Sequence, residues 1–221
     1  MLLSTAYFPP VEYFALLARD FVVNPGGETI PSEVYIEACE SYVKQTWRTR
    51  CDIMTSLGVE TLRVPVVHRH GMKVSEVIVE YTTPWIIRTE RAIDTAYRTS
   101  AFFEYYRDGL YGILEEKVER LFDLNMLITK YLLSKTGIRC NLIPTTSYAQ
   151  EGTVPDDWRN AVHPKKPNTI LKDLSLEKPY FQVFSGKYGF KSGLSVIDLL
   201  FNEGPDSISY LKNLEPAAPR I

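Results

Sequence analysis

At 221 residues, 45% hydrophobic and 12% aromatic, the chain carries enough apolar side chain to fill one large core, which excludes extended disorder. Its 25 Lys+Arg against 27 Asp+Glu give a formal charge of -2, so no bulk field draws it to nucleic acid or an anionic membrane, while a local basic face stays open. No stretch approaches the roughly 18 uncharged apolar residues of a membrane span. Met1–Tyr7 lacks the basic start of an export signal, and three scattered cysteines (Cys39, Cys51, Cys140) suggest reduced thiols. The expectation is a cytoplasmic protein.

In chain order, residues 2–7 read as a short strand. Pro9-Pro10 suits the first turn of a helix over 10–19, where Val11, Phe14, Ala15, Leu17 and Ala18 keep helical spacing. Phe21-Val22-Val23 is strand-like, Asn24-Pro25-Gly26-Gly27 is a turn signal, and the chain up to Ser32 reads as a surface loop. Residues 34–51 read as one strand, or two with a bend. Ser56-Leu57-Gly58 then links a hairpin into 61–67, and Val74, Val77, Ile78, Val79 and Tyr81 suggest a further strand. Helical spacing returns over 84–98. The longest predicted helix spans 108–135, striped by Leu110, Leu114, Val118, Leu121, Ile128 and Leu132, with Gly137 placed to cap it. A strand at 140–143, a loop at 151–157, a strand at 179–184, a helix at 194–201 and a last helical turn from Gly204-Pro205 to Leu211 follow.

This order shows no clean βαβ alternation. It predicts an α+β fold: a mixed sheet with the long helix of the C-terminal half packed on it, and a C-terminal α/β extension. A change of texture near Tyr148 divides one domain, 1–221, into a body (1–148) and an extension (149–221). The extension is expected to pack onto the body, because a piece that short makes a poor independent core.

The segment from Tyr42 to Cys51 carries the densest chemistry. As a strand it puts Lys44, Arg48 and Arg50 on one face and Val43, Trp47 and Cys51 on the other. Three cations in a row suit a diphosphate or carboxylate, which arginine binds bidentately. The same face also reads as a solvated one, paired with Glu37 and Glu40. His68 and His70 would share a strand face as metal ligands but lack a third, so an exposed loop is the simpler reading and no metal site is assigned. Asp156-Asp157-Trp158-Arg159 and His163-Pro164-Lys165-Lys166 combine carboxylates, imidazole and cations. That mix serves acid–base work, anion binding or an ordinary surface loop. Asp198 interrupts the run Leu194–Phe201, either as an exposed helix residue or as a partly buried acid. GxSxG, P-loop, GxGxxG and HExxH signatures are absent, and the residues identify no cofactor.

Several segments recur together in one family. They are Tyr7-Phe8-Pro9-Pro10-Val11, Tyr42-Val43-Lys44-Gln45-Thr46-Trp47-Arg48-Thr49-Arg50-Cys51, Leu62-Arg63-Val64-Pro65-Val66 and Phe102-Phe103-Glu104-Tyr105-Tyr106, then His163-Pro164-Lys165, Pro179–Phe184 and Leu194–Asn202 with Gly204-Pro205. In this order they resemble the WbqC-like family of bacterial proteins, Bacteroidetes-type members in particular. Genes of that family occur in clusters for O-antigen and other surface polysaccharides. The resemblance therefore implies a transferase of surface-polysaccharide biosynthesis acting on a nucleotide-activated amino sugar, by acyl or aminoacyl transfer.

On that implication Lys44, Arg48 and Arg50 grip the diphosphate with Lys165 as a further cation, and Tyr42, Gln45 and Trp47 line the sugar or base. His163 is the acid or base, with Asp198 or Glu40 as its carboxylate partner. The expected partner is a sugar nucleotide or another anionic small molecule, not nucleic acid; a homo-oligomer is left open. Relatives carry histidines where Cys39 and Thr89 stand here, which motivates the alternative of a non-catalytic binding or scaffold protein in the same pathway.

Overall fold

The computed structural model describes residues 1–19, 21–23 and 29–213. In chain order it contains β1 (Leu2–Ser4), α1 (Val11–Arg19), β2 (Phe21–Val23), β3 (Thr29–Glu37), β4 (Arg50–Thr55), β5 (Gly58–Arg63), β6 (Val66–Val67) and β7 (Ile78–Val79). After these come α2 (Trp85–Tyr97), α3 (Phe103–Glu115), α4 (Leu121–Thr136) and β8 (Cys140–Pro144). Four short helices complete it: α5 (Ile170–Asp173), α6 (Ser185–Tyr188), α7 (Val196–Glu203) and α8 (Ser207–Leu211). The class is α+β, with parallel and antiparallel strands in small sheets.

β3 organises the main sheet. It pairs in parallel with β1 from Leu2↔Tyr35 to Ser4↔Glu37, and in parallel with β8 from Ser32↔Cys140 to Ile36↔Pro144. Tyr35 and Ile36 are paired on both edges, so β1 and β8 flank β3 and their carboxyl ends (Ser4, Glu37, Pro144) lie side by side. The other end of β3 pairs antiparallel with β2. Helix α1 leaves β1 through Pro9-Pro10 and is buried along Val11–Ala18, Glu12 included. A helix apolar all round must be covered all round, and α5, α7 and α8 supply that cover. Residues beyond 149 thus join the same hydrophobic cluster, which runs from Leu3 to Leu211.

The predicted helix at 10–19, the strand at 21–23, the 56–58 hairpin link, the helix at 84–98 and the Gly137 cap, in left-handed backbone at φ 74, are all present. Four expectations are corrected. Thr29–Ser32 is already strand, because Ser32, a polar residue buried on the core face, hides the alternation that continues through Val34 and Ile36; the Asn24–Gly27 turn lies outside the described residues. Tyr42–Thr49 is not a strand but a run of turns between β3 and β4, with Gln45 in left-handed backbone at φ 61. The predicted 108–135 helix is two helices. Its middle is drawn off as an edge for β7: Val79 N–H donates to the Glu119 carbonyl at 2.9 Å and the Tyr81 hydroxyl to the Val118 carbonyl at 2.7 Å. Lys117 turns there at φ 51. Finally, Pro179–Phe184 is not a strand: it buries Tyr180 and Gln182 around an exposed Phe181 and turns at Val183 and Phe184 into α6, and no described strand pairs with it.

Asp198 explains why that segment stays in place. It is 1% exposed on α7, and it accepts hydrogen bonds from the Tyr97 hydroxyl (3.0 Å), the Tyr180 hydroxyl (2.6 Å) and the Gln182 amide (2.9 Å). Gln182 meanwhile closes a pseudo-backbone pair with Lys191, donating to its carbonyl and accepting from its N–H. Asp198→Ala strands the buried Tyr97 and Tyr180 hydroxyls at once and takes one acceptor from the Gln182 amide. Unfolding in urea should lose about 2–4 kcal/mol, and an unchanged midpoint would contradict this role. Burial pushes the Asp198 carboxyl up from 3.8 to about 6. The native form therefore holds a proton that the unfolded chain releases. The stability from this site is complete below the unfolded value and is lost as pH rises through about 6.

Candidate functional site

A cleft of about 560 Å³ opens at the carboxyl ends of β1, β3 and β8, the position where open parallel sheets place ligands. One wall is the turn segment after β3 (Cys39, Glu40, Ser41, Val43, Thr46, Arg48). The other comes from the chain after β8 (Tyr148, Glu151, Arg159, Asn160, His163, Lys166). Two buried ion networks hold these walls.

The first joins the sheet to the far wall. Glu37, the last residue of β3, is 0% exposed. Its Oε1 accepts from the Cys39 N–H at 2.9 Å and the Thr145 hydroxyl at 2.6 Å. Its Oε2 accepts from Arg159 Nη1 at 2.9 Å and the Ala149 N–H at 3.2 Å. Arg159 in turn forks onto Asp157, through Nε at 2.9 Å and Nη2 at 2.5 Å, with its guanidinium 5.0 Å from the Tyr148 ring centroid. These hydrogen bonds hold the Asp157 carboxyl below its usual range. A buried charge is tolerable only when its lone pairs are all engaged, and Glu37 has two donors on each oxygen.

The second network shapes the near wall. Arg48 donates through Nε to Glu40 Oε1 at 2.9 Å and meets Oε2 with Nη2 at 2.6 Å. Nη2 also donates to Ser4 Oγ at 2.9 Å, which ties this wall to the end of β1. The Arg48 carbonyl accepts from Asn125 of α4 at 2.9 Å. Nη1 has no hydrogen-bond partner among the described residues, and Arg48 is one of the residues that line the cleft.

His163 is half-buried between the two networks. Its Nδ1 accepts the Lys165 backbone N–H at 3.1 Å, so in the neutral ring the hydrogen sits on Nε2. Burial, followed by the positive charges of Lys166, Arg48 and Lys165, pushes its pKa below the usual 6.5. At neutral pH the side chain is therefore an uncharged donor through Nε2–H.

The sequence-derived site is partly assembled. Glu40, Arg48 and His163 line the cleft together. The three-cation face does not exist: Lys44 points into solvent, while Arg50 opens β4 opposite Arg63. Trp47 is buried in the core. Tyr42 stacks on His68 at 4.8 Å, outside the cleft lining. Gln45 and Lys165 meet at the rim, the lysine Nζ donating to the amide oxygen. Asp198 lies in the core and not in the cleft, so it cannot be the carboxylate partner of His163. Both Glu40 oxygens are committed to Arg48, which leaves Glu40 a positioning role. Glu37, Arg159 and Lys166 emerge as the residues that sequence reasoning undervalued. The polar stretch 156–166 was the signal for Arg159 and Lys166, while Glu37 was read only as a surface partner of the cationic face. Of the two positions for which the resemblance implied histidine, Cys39 lines the cleft, its thiol donating to the Thr145 carbonyl at 3.7 Å, while Thr89 is buried on α2. Among the described residues, no group of three His, Cys, Asp or Glu could hold a metal ion.

A family model described as the WbqC-like protein family matches residues 5–163, which takes in both walls of the cleft through His163. The chain is also similar to uncharacterized protein Rv1507c of Mycobacterium tuberculosis, 26% identical over 234 residues and covering 96% of each chain. No solved structure matches. No helix among the described residues is long and apolar enough to cross a membrane.

The tautomer and its electrostatic origin are measurable together. Nitrogen-edited NMR should show His163 as the Nε2–H form, titrating below 6.5, and Lys166→Ala should raise its midpoint by removing a neighbouring positive charge. A midpoint at or above 6.5, unmoved in the variant, would contradict the assignment.

Proposed function

This chain belongs to the WbqC-like protein family, and we propose that its cleft binds a nucleotide-activated amino sugar through the diphosphate and presents it for acyl or aminoacyl transfer in surface-polysaccharide synthesis. The carrying observation is a set of donors on residues of the cleft that have no partner among the described residues. Arg48 Nη1, the Lys166 ammonium and the His163 Nε2–H all remain to be satisfied. Of the two carboxylates in its lining, Glu40 is held by Arg48 and Ser4, and Glu151 accepts the Asn160 amide through Oε1 at 2.8 Å. Guanidinium, ammonium and imidazole donors gathered in one cleft favour an acceptor-rich, negatively charged ligand. The cleft volume falls within the roughly 300–1,000 Å³ of small-molecule sites. A cleft lined by Arg48 and His163 also favours ligand binding over the scaffold reading.

His163 enters this reading as an electrophilic donor rather than as the base. Its Nδ1 is occupied by the Lys165 N–H, so it has no free lone pair with which to take a proton. Nε2–H is suited to a carbonyl or phosphoryl oxygen that gains negative charge during transfer, where one well-placed donor is worth about 3–4 kcal/mol. Arg48 binds with its spare Nη1 while Glu40 holds the guanidinium in plane.

Lys166→Ala tests this without disturbing a buried pair, because Lys166 is exposed and makes no ion pair among the described residues. Calorimetric titration with uridine- and guanosine-diphosphate amino sugars should show a single site, weakened about 10–100-fold by the substitution. Absence of binding to any sugar nucleotide at millimolar concentration would overturn the proposal and return weight to the scaffold alternative. Arg48→Ala is a poorer probe, since it leaves Glu40 buried and unpaired.

A further inference from the structure

Helix α2 buries Trp85, Thr89, Ile93, Ala96 and Tyr97 and packs on β4, β5 and α3. At 3.6 residues per turn, Ile87, Arg88, Arg91, Thr95 and the capping Arg98 fall within an arc of about 100° on the opposite side, over a length of roughly 16 Å. All five are exposed. None of the three guanidinium groups makes an ion pair or hydrogen bond among the described residues. The nearest acids are occupied or turned aside. Asp94 accepts from the Tyr111 hydroxyl at 2.9 Å, and Glu90 faces a small depression shared with Glu115 and Lys117. A chain of net charge -2 thus carries one stripe of unpaired positive charge. Ile87, 50% exposed, lies at its start, and Tyr105, 77% exposed, stands in the first turn of the next helix, α3.

We propose that this face of α2 docks the protein on a membrane surface through anionic lipid headgroups. Guanidinium groups pair with phosphate oxygens bidentately, and a planar anionic surface meets all three along a straight helix. Ile87 and Tyr105 suit the headgroup–acyl boundary, where short apolar and aromatic groups settle. The sign and spacing of the charges favour this partner over a neutral apolar one. The site is separate from the cleft and stands whether or not a sugar nucleotide binds there.

Co-sedimentation with phosphatidylcholine vesicles containing 30 mol% phosphatidylglycerol, at about 0.1 M salt, reads it directly. The full chain should pellet with these vesicles, not with pure phosphatidylcholine, and should be released at about 0.5 M salt as the charges are screened. Each cation near such a surface contributes roughly fivefold, so the triple Arg88→Gln, Arg91→Gln, Arg98→Gln variant should need about a hundredfold more lipid. The triple Arg→Lys variant, which keeps the charge, should lose far less. Equal pelleting with neutral vesicles would overturn the proposal, as would undiminished binding by the Gln variant or no pelleting at all. Capture by polyglutamate without capture by vesicles would overturn it in favour of an acidic protein partner.

Discussion

The buried Glu37 carboxylate is the interaction on which the rest of the site depends. It ends the central strand, and its four donors come from Cys39 on one wall of the cleft and from Thr145, Ala149 and Arg159 on the other. Without it, residues 145–159 lose their buried polar anchor to the end of β3. Among the described residues, the other backbone hydrogen bonds at this end join Leu2 to Asp156 and Trp158, Thr145 to Ile36, and the Ala38 N–H to the Thr145 hydroxyl. An ionised group placed there is costly unless completely paired, and breaking such a network typically costs about 3–5 kcal/mol. That stake fixes the walls to within a hydrogen bond's tolerance. A rigid frame of this kind is what a binding site built on loops otherwise lacks.

The same logic separates the charges that build the cleft from those left to act. Arg159 spends its guanidinium on Glu37 and Asp157, and Glu40 spends its carboxylate on Arg48. What remains facing the cavity is one edge of Arg48, the Lys166 ammonium and a neutral imidazole donor. The positive surroundings that depress the His163 pKa are also those that would attract an anionic ligand, so one cause serves recognition and tautomer together.

Much of the fold was legible because its signals are local. Pro9-Pro10 announces α1, Gly137 ends α4, and Ser56-Leu57-Gly58 turns a hairpin. The misreadings have tertiary causes. Val118 carries the apolar stripe on from α3 into α4, and the pull of β7 on Val118 and Glu119 breaks the helix there. Ser32 looks like loop because a buried serine carries no hydrophobic signal. Glu37 shows this most clearly. Its parity with Glu33 and Tyr35 assigns it to the exposed face of β3, yet a wall formed more than 100 residues later covers that end of the sheet. The motif around Arg48 pointed to the right segment with the wrong geometry, since an alternating pattern of cations does not distinguish a strand from tight turns. Asp198, an acid within an apolar run, proved to be a hub of the core.

Hydrogen exchange of the Glu37→Gln protein tests the central claim most directly. Glutamine keeps the shape but presents donors where Arg159 and Ala149 need an acceptor. Amides of residues 145–163 should exchange markedly faster, with weaker protection at Cys39, while α1, α4 and the β4–β5 hairpin remain as protected as before. Equal protection of residues 145–163 in the two proteins would mean that something other than the Glu37 carboxylate holds the cleft together, and would contradict the account.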